Sequence, residues 1–184
     1  MKKFALIIVL VVIFAVGIVK FSGKAPSVDV QSSVSPSTQV SNGYKNIAYQ
    51  IEGQEILLKN GVAETAAAPD SVETVTTEYF GNEMKGDFNN DGTQDVAFIL
   101  TQSGSWTGVF FYIVVAIKTS DGYKGTNAIL LGDRIAPQTI EFKNNEIIVN
   151  YTDRKAGEPF SEEPSVGVSK YLKINGLQLL EVIK

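Results

Sequence analysis

From residue 44 onward the apolar residues fall in short alternating runs cut by Gly, Asn and Asp, and 3.6-residue periodicity is almost absent. A period of two sends successive side chains to opposite faces of an extended chain, so the pattern predicts strands. Residues 47–51 and 55–59 flank Glu52-Gly53-Gln54 as an opening hairpin or meander, with a third short strand expected after the Asn60-Gly61 turn. The pattern breaks at 66–70 and resumes over the β-branched stretch 72–80, which reads as a strand rather than a helix. Residues 96–101 and 109–118 are apolar at almost every position and are expected to be central strands covered on both faces. Asp121-Gly122 then turns the chain into 126–131, Asn144-Asn145 joins 138–143 to 146–151, and Asn175-Gly176 joins 170–174 to 177–183. There is no repeat period, which argues against a propeller. The expected fold is mainly β, a single antiparallel sandwich or barrel-like domain over 44–184.

Ahead of it, Met1-Lys2-Lys3 leads into sixteen residues, 4–19, without a charge or strong polar group, closed by Lys20. As a helix they span about 24 Å, short of a hydrocarbon core of about 30 Å, a gap that Phe21 and the snorkelling of Lys3 and Lys20 reduce. Residues 1–21 are therefore expected to be an export signal retained as a single-pass transmembrane helix, anchored in the lipid bilayer of the cell membrane. Lys2 and Lys3 would hold the amino terminus in the cytoplasm. The alternative is a cleaved signal peptide and a secreted product. Ala15-Val16-Gly17 offers the small-x-small pattern, but Ile18 and Val19 make a poor context for cleavage. Residues 22–43, rich in Ser, Val, Pro, Thr and Gln, read as a flexible tether. Pro26 and Pro36 bracket residues 27–34 and disfavour an edge strand there.

Charge narrows the partners. Of 16 basic residues four lie at or before Lys24, whereas all 20 acidic ones lie beyond it, so the chain beyond Lys24 carries 12 − 20 = −8. Such a surface favours cations and disfavours nucleic acid. Histidine and cysteine are both absent. That removes disulfides, lipid attachment through Cys, thiol nucleophiles, the commonest general base and most zinc or copper sites.

The segment Gly86-Asp-Phe-Asn-Asn-Asp-Gly-Thr-Gln-Asp95 is the candidate for chemistry. Side-chain oxygens recur at Asp87, Asn89, Asp91 and Asp95 around Gly92, and Thr93 adds a backbone carbonyl. Alternate oxygens on a turning loop suit a hard cation, calcium above all. Three aspartates within nine residues also repel one another, and the loop itself holds no Lys or Arg. An EF-hand would need a bidentate Glu at loop position twelve, where this chain has Phe98, so the site would be set by strands instead. The competing reading is a plain polar turn, since Asn, Asp and Gly dominate tight turns.

Other candidates are thinner. Asp133, Asp153, Glu158, Glu162 and Glu163 are the carboxylates available to an acid-base pair, and a carboxylate-dependent hydrolase acting on envelope glycans is the alternative function. No Gly-x-Ser-x-Gly or Ser-x-x-Lys supports serine catalysis. The dipeptides Asp133-Arg134 and Asp153-Arg154 offer planar guanidinium forks, which more often fasten loops than clamp ligands. The connection 153–166 is long enough to be a lid or a surface flap. Trp106, among small residues, either packs over the sheet or stacks on a sugar or peptide.

The phrases Asn60-Gly-Val-Ala-Glu-Thr, Tyr79-Phe-Gly-Asn-Glu, residues 86–98, Leu131-Gly-Asp-Arg-Ile-Ala-Pro-Gln138 and Gly157-Glu-Pro-Phe160 resemble an uncharacterised family of exported bacterial proteins. The resemblance spans most of residues 44–175 and implies a bacterial, extracytoplasmic domain behind a signal peptide, lipoprotein signal or membrane anchor. It implies no activity. Asp87, Asp91, Gly92 and Asp95 match the family's loop, whereas Ser103-Gly-Ser-Trp106 departs from its plainer Gly-rich turn. The expectation is a membrane-anchored, calcium-binding module whose partners are Ca2+, the bilayer and a cell-envelope glycan or protein.

Overall fold

The apolar alternation becomes sheet throughout the residues that the computed structural model describes, which are 43–68, 70–105 and 108–184. The transmembrane helix expected at 1–21, nearly all of the tether and Trp106 lie outside them. Twelve strands and no helix are found among the described residues. The protein is mainly β, as expected, and its sheets curl into a half-barrel.

The hairpin β1 (Ala48–Ile51) and β2 (Gln54–Leu57) turns through Glu52 and Gly53, both at positive φ. A six-stranded sheet follows, built from β3 (Val62–Ala66), β4 (Thr74–Gly86), β5 (Asp95–Gly104) and β6 (Val109–Thr119) in that order. β7 (Gly122–Gly125) and β8 (Ile129–Asp133) pair with successive parts of β6. A four-stranded sheet contains β9 (Ala136–Lys143), β10 (Glu146–Asp153), β11 (Val166–Asn175) and β12 (Gln178–Val182).

Strands β5 and β6 show why the sequence fills both faces. Ala97, Ile99, Ile113 and Val115 enter one core with Ile147, Val149 and Leu172 of the four-stranded sheet. Val96, Phe98, Leu100, Tyr112 and Val114 enter a second core with Tyr49, Ile51, Ile56 and Leu58 beneath the hairpin. Each fully buried Val, Leu, Ile or Phe contributes about 1.5–3 kcal/mol, so these two strands hold much of the apolar stabilisation. Side-chain amides stitch the layers. Asn82 donates to Gln138 O at 3.0 Å, and Asn127 both donates to Leu179 O and accepts from Leu179 N.

Two strand expectations need correction. The strand expected at 72–80 begins at Thr74, leaves Val72 exposed, and runs on to Gly86. Beyond residue 80, where the expected strand ended, pairing to β5 shifts register at Gly81 and Asn82 and continues, a bulge absorbing both positive-φ residues. The strand expected at 126–131 starts only at Ile129, as β8, and a separate short strand, β7, precedes it at Gly122–Gly125, because the chain leaves β6 at Thr126. Val115 N donates to the Thr126 hydroxyl at 3.0 Å, which frees Thr126 O and Ala128 N to pair with Gln50 of β1. The hairpin passes so close that a Cβ at Gly125 would lie 2.1 Å from Ala48 O. Only glycine fits.

The domain's first residues are tied to the β4 bulge. Tyr44 and Tyr79 each donate to Glu83 Oε1 at 2.6 Å, and Lys45 Nζ sits 3.4 Å from the Tyr79 ring centroid. Burial pushes the Glu83 carboxyl up, but these phenols and the Lys45 charge outweigh it and hold the group below its ordinary value.

Candidate metal site

The aspartate loop is the connection from β4 to β5, so both ends are fixed by a sheet rather than by helices. Gly92 at φ 84 allows the chain to double back. Asp87 Oδ1 accepts from Asp91 N at 3.0 Å and its Oδ2 accepts from Gly92 N at 2.9 Å. Asn89 Oδ1 accepts from Asp91 N, and Asn89 Nδ2 donates to Asp91 Oδ2 at 2.8 Å. Asp91 Oδ1 takes the Thr93 amide and hydroxyl. Asp95 is wholly buried, with Oδ1 accepting from Lys118 N at 2.8 Å and Oδ2 from Phe88 N at 3.1 Å. Asp95 thereby ties the loop to β6.

Backbone amides thus set the direction of every carboxylate in the loop. Burial raises the pKa of the Asp95 carboxyl, the Lys118 and Phe88 amides lower it, and the charges of Asp91 and Asp87 add to the net upward shift. Hydrogen bonds from Thr93 and Asn89 hold Asp91 below the ordinary carboxylate range. Asp87, Asp91 and Asp95 make no ion pair among the described residues. Nor do the described residues contain three acidic side chains drawn together as a ready cation cluster. Each carboxylate oxygen has a second lone pair, and those of Asp87 and Asp95 each use only one on the contacts above. The donor set is hard oxygen throughout, which fits calcium in kind. Asn90 Nδ2 reaches Asn145 Oδ1 at 3.1 Å, so the loop also touches the β9–β10 turn of the other sheet.

The remaining candidates divide cleanly. Arg154 donates Nε to Glu162 O at 2.6 Å, Nη1 to Arg134 O at 2.8 Å and Nη2 to Phe160 O at 3.4 Å, fastening the 153–166 connection as such an arginine was expected to do. The Arg134 guanidinium lies 4.1 Å from the Phe160 ring centroid. Asp133 accepts from Val109 N and pairs with Arg134, Asp153 caps Arg154 N, and Glu158 pairs with Lys155. Glu162 enters through its backbone, its carbonyl accepting from Arg154 and its amide donating to Pro159 O at 3.0 Å. Sequence reasoning passed over Glu52, whose Oε1 accepts from the Tyr112 hydroxyl at 2.9 Å. The signal was present in the Glu-Gly turn, a place where Asn-Gly or Asp-Gly is usual.

Set against protein-family models, curated proteins and solved structures, the chain matches none of them.

Proposed function

We propose that this protein is a membrane-anchored extracytoplasmic binding module, a single antiparallel sandwich or barrel-like domain behind an amino-terminal transmembrane helix, stabilised by a structural calcium ion. The ligands are the side chains of Asp87, Asn89, Asp91 and Asp95 and the carbonyl of Thr93. The observation carrying this reading is a loop with three aspartates and no cationic partner among the described residues, one of them buried with its pKa raised partly by the other two. A divalent cation would relieve that repulsion. Binding to the folded loop alone would stabilise the native state where calcium is plentiful, outside the cell. The apolar segment 4–19 and the resemblance to exported bacterial proteins favour that location. Ligand recognition at the envelope, of a glycan or a protein, suits a stiff sheet with polar connections and needs no catalytic group.

Thermal unfolding of the full chain, with millimolar calcium or with excess chelator, tests the ion. At about 100-fold excess over Kd the gain is about 2.7 kcal/mol, and for a domain of this size each kcal/mol moves the midpoint by about 2–4 °C. The expected rise is lost in Asp91→Ala. Superimposable curves with and without calcium would reduce the loop to a self-capped turn.

A further inference from the structure

The β1–β2 hairpin leaves part of its face of the six-stranded sheet uncovered. A cleft of about 230 Å³ opens there, beside the hairpin turn and at the far end of β5 from the aspartate loop. Buried Ile51, Val75 and Tyr112 contribute its apolar lining, with Phe110 and the half-exposed Leu130. Among the described residues Glu52 is the only charged side chain lining it.

Three features single out that carboxylate. Its residue sits at φ 50, a conformation that turns ordinarily give to Asn, Asp or Gly. The Tyr112 hydroxyl fixes Oε1, whereas Oε2 makes no hydrogen bond among the described residues. Glu52 also forms no ion pair among the described residues. The neighbouring Gln102 commits Nε2 to Thr77 Oγ1 at 3.0 Å, so its carbonyl oxygen is the end left to accept. The cleft therefore combines apolar walls, one oriented negative charge and the side-chain amides of Gln54 and Gln102, the latter with its carbonyl oxygen left to accept.

We propose that this cleft binds a primary alkylammonium group, its charge on Glu52 Oε2 and Gln102 Oε1 and its apolar stem against Phe110 and Leu130. The negative charge selects against anions. A bidentate guanidinium would have to share Oε1 with the Tyr112 hydroxyl, whereas a compact ammonium needs only Oε2, so the ammonium is the better match. The group has two sources, a free aliphatic amine or the lysine side chain of a polypeptide. This inference rests on the reading of the domain as a binding module and is independent of its calcium.

The probe is n-butylammonium, titrated into the full-length chain in nanodiscs of zwitterionic lipid with calcium present throughout, following backbone amide shifts. The amides of Glu52, Gln54, Gln102 and Phe110 are expected to move, and 1-butanol, which lacks the charge, to bind about ten-fold more weakly or worse. Glu52→Gln should weaken n-butylammonium by about ten-fold and leave 1-butanol unchanged, while Glu163→Gln, elsewhere on the acidic surface, changes neither. Tyr112→Phe keeps the ring, frees the carboxylate to rotate and should weaken binding less. Nα-acetyl-lysine N-methylamide binding more tightly than n-butylammonium identifies a polypeptide source, and weaker binding identifies a free amine. Equal affinity for the amine and the alcohol, no response to Glu52→Gln, or shifts spread over all acidic residues would overturn the proposal. The calcium-dependent thermal shift, read on the same samples, reports on the ion separately.

Discussion

The aspartate loop and the 153–166 connection are both long, polar and acidic, yet they are held in opposite ways. In the second, the chain provides its own cation. Arg154 reaches three backbone carbonyls, Phe160 lies over Arg134, and Lys155 answers Glu158. In the first, carboxylates turn onto backbone amides and no cationic side chain pairs with them among the described residues. A loop organised by an internal guanidinium satisfies its carbonyls from within the chain and gives one of its carboxylates a cationic partner. One organised by carboxylates on amides satisfies its donors but leaves all three carboxylates without a cation among the described residues, and those charges are what an external cation would use.

The sharpest way to break this contrast is Asp95→Ala. It strands the Phe88 and Lys118 amides that the buried carboxylate accepts, at about 1–3 kcal/mol each, so a loss of about 3 kcal/mol is expected in denaturant unfolding. A loss below about 0.5 kcal/mol would mean that the loop is not tied to β6 through this residue. Next is the calcium gain proposed above, which should appear in wild type and in Arg154→Ala alike, since the guanidinium clip does not depend on the aspartate loop.

Arg154→Ala itself should cost about 1–2 kcal/mol and speed proteolytic cleavage within 153–166. Arg154→Lys should not restore protection, because an ammonium cannot span the same carbonyls. Unchanged proteolysis in both variants would show that other contacts hold that connection. Acid offers a reference point outside both loops. Glu83 has a folded pKa below its ordinary 4.5, so its contribution is present above that value and is lost as pH falls through the folded pKa. The acid limb of a thermal-midpoint profile should flatten in Glu83→Gln, and an identical limb would remove Glu83 from the account. The smallest effect is expected from Asn90→Gly, which tolerates the φ of 61 at that position. It removes one exposed bond to Asn145, about 0.5 kcal/mol, and loosens the aspartate loop from the other sheet.

Much of the fold was legible because alternation is a local property. The double apolar character of 96–101 and 109–118 stated that both faces of those strands would be covered, and β5 and β6 have that burial. The Asn-Gly and Asn-Asn turns marked strand ends for the same local reason, their tolerance of positive φ. The bulge at Gly81-Asn82 was not legible. Whether a breaker ends a strand or is absorbed depends on the neighbouring strand continuing past it. The late start of β8 at Ile129 depended in turn on Gln50, far away in sequence, arriving to pair with Thr126 and Ala128.

The candidate sites divide along the same line. The spacing of oxygens from Asp87 to Asp95 and the turn at Gly92 are written in the sequence, because a loop's own backbone brings its alternate side chains together. The sequence by itself also determined a β domain with an acidic surface and no thiol or imidazole. Only the tertiary structure decided that Asp95 is buried against the β6 amide of Lys118, that Arg154 spends its guanidinium on carbonyls, and that Tyr112 orients Glu52 at a cleft. Each of those depends on a contact between elements distant in the chain, and the free energy of such a contact is set by the burial and geometry that packing supplies, neither of which is encoded in local spacing.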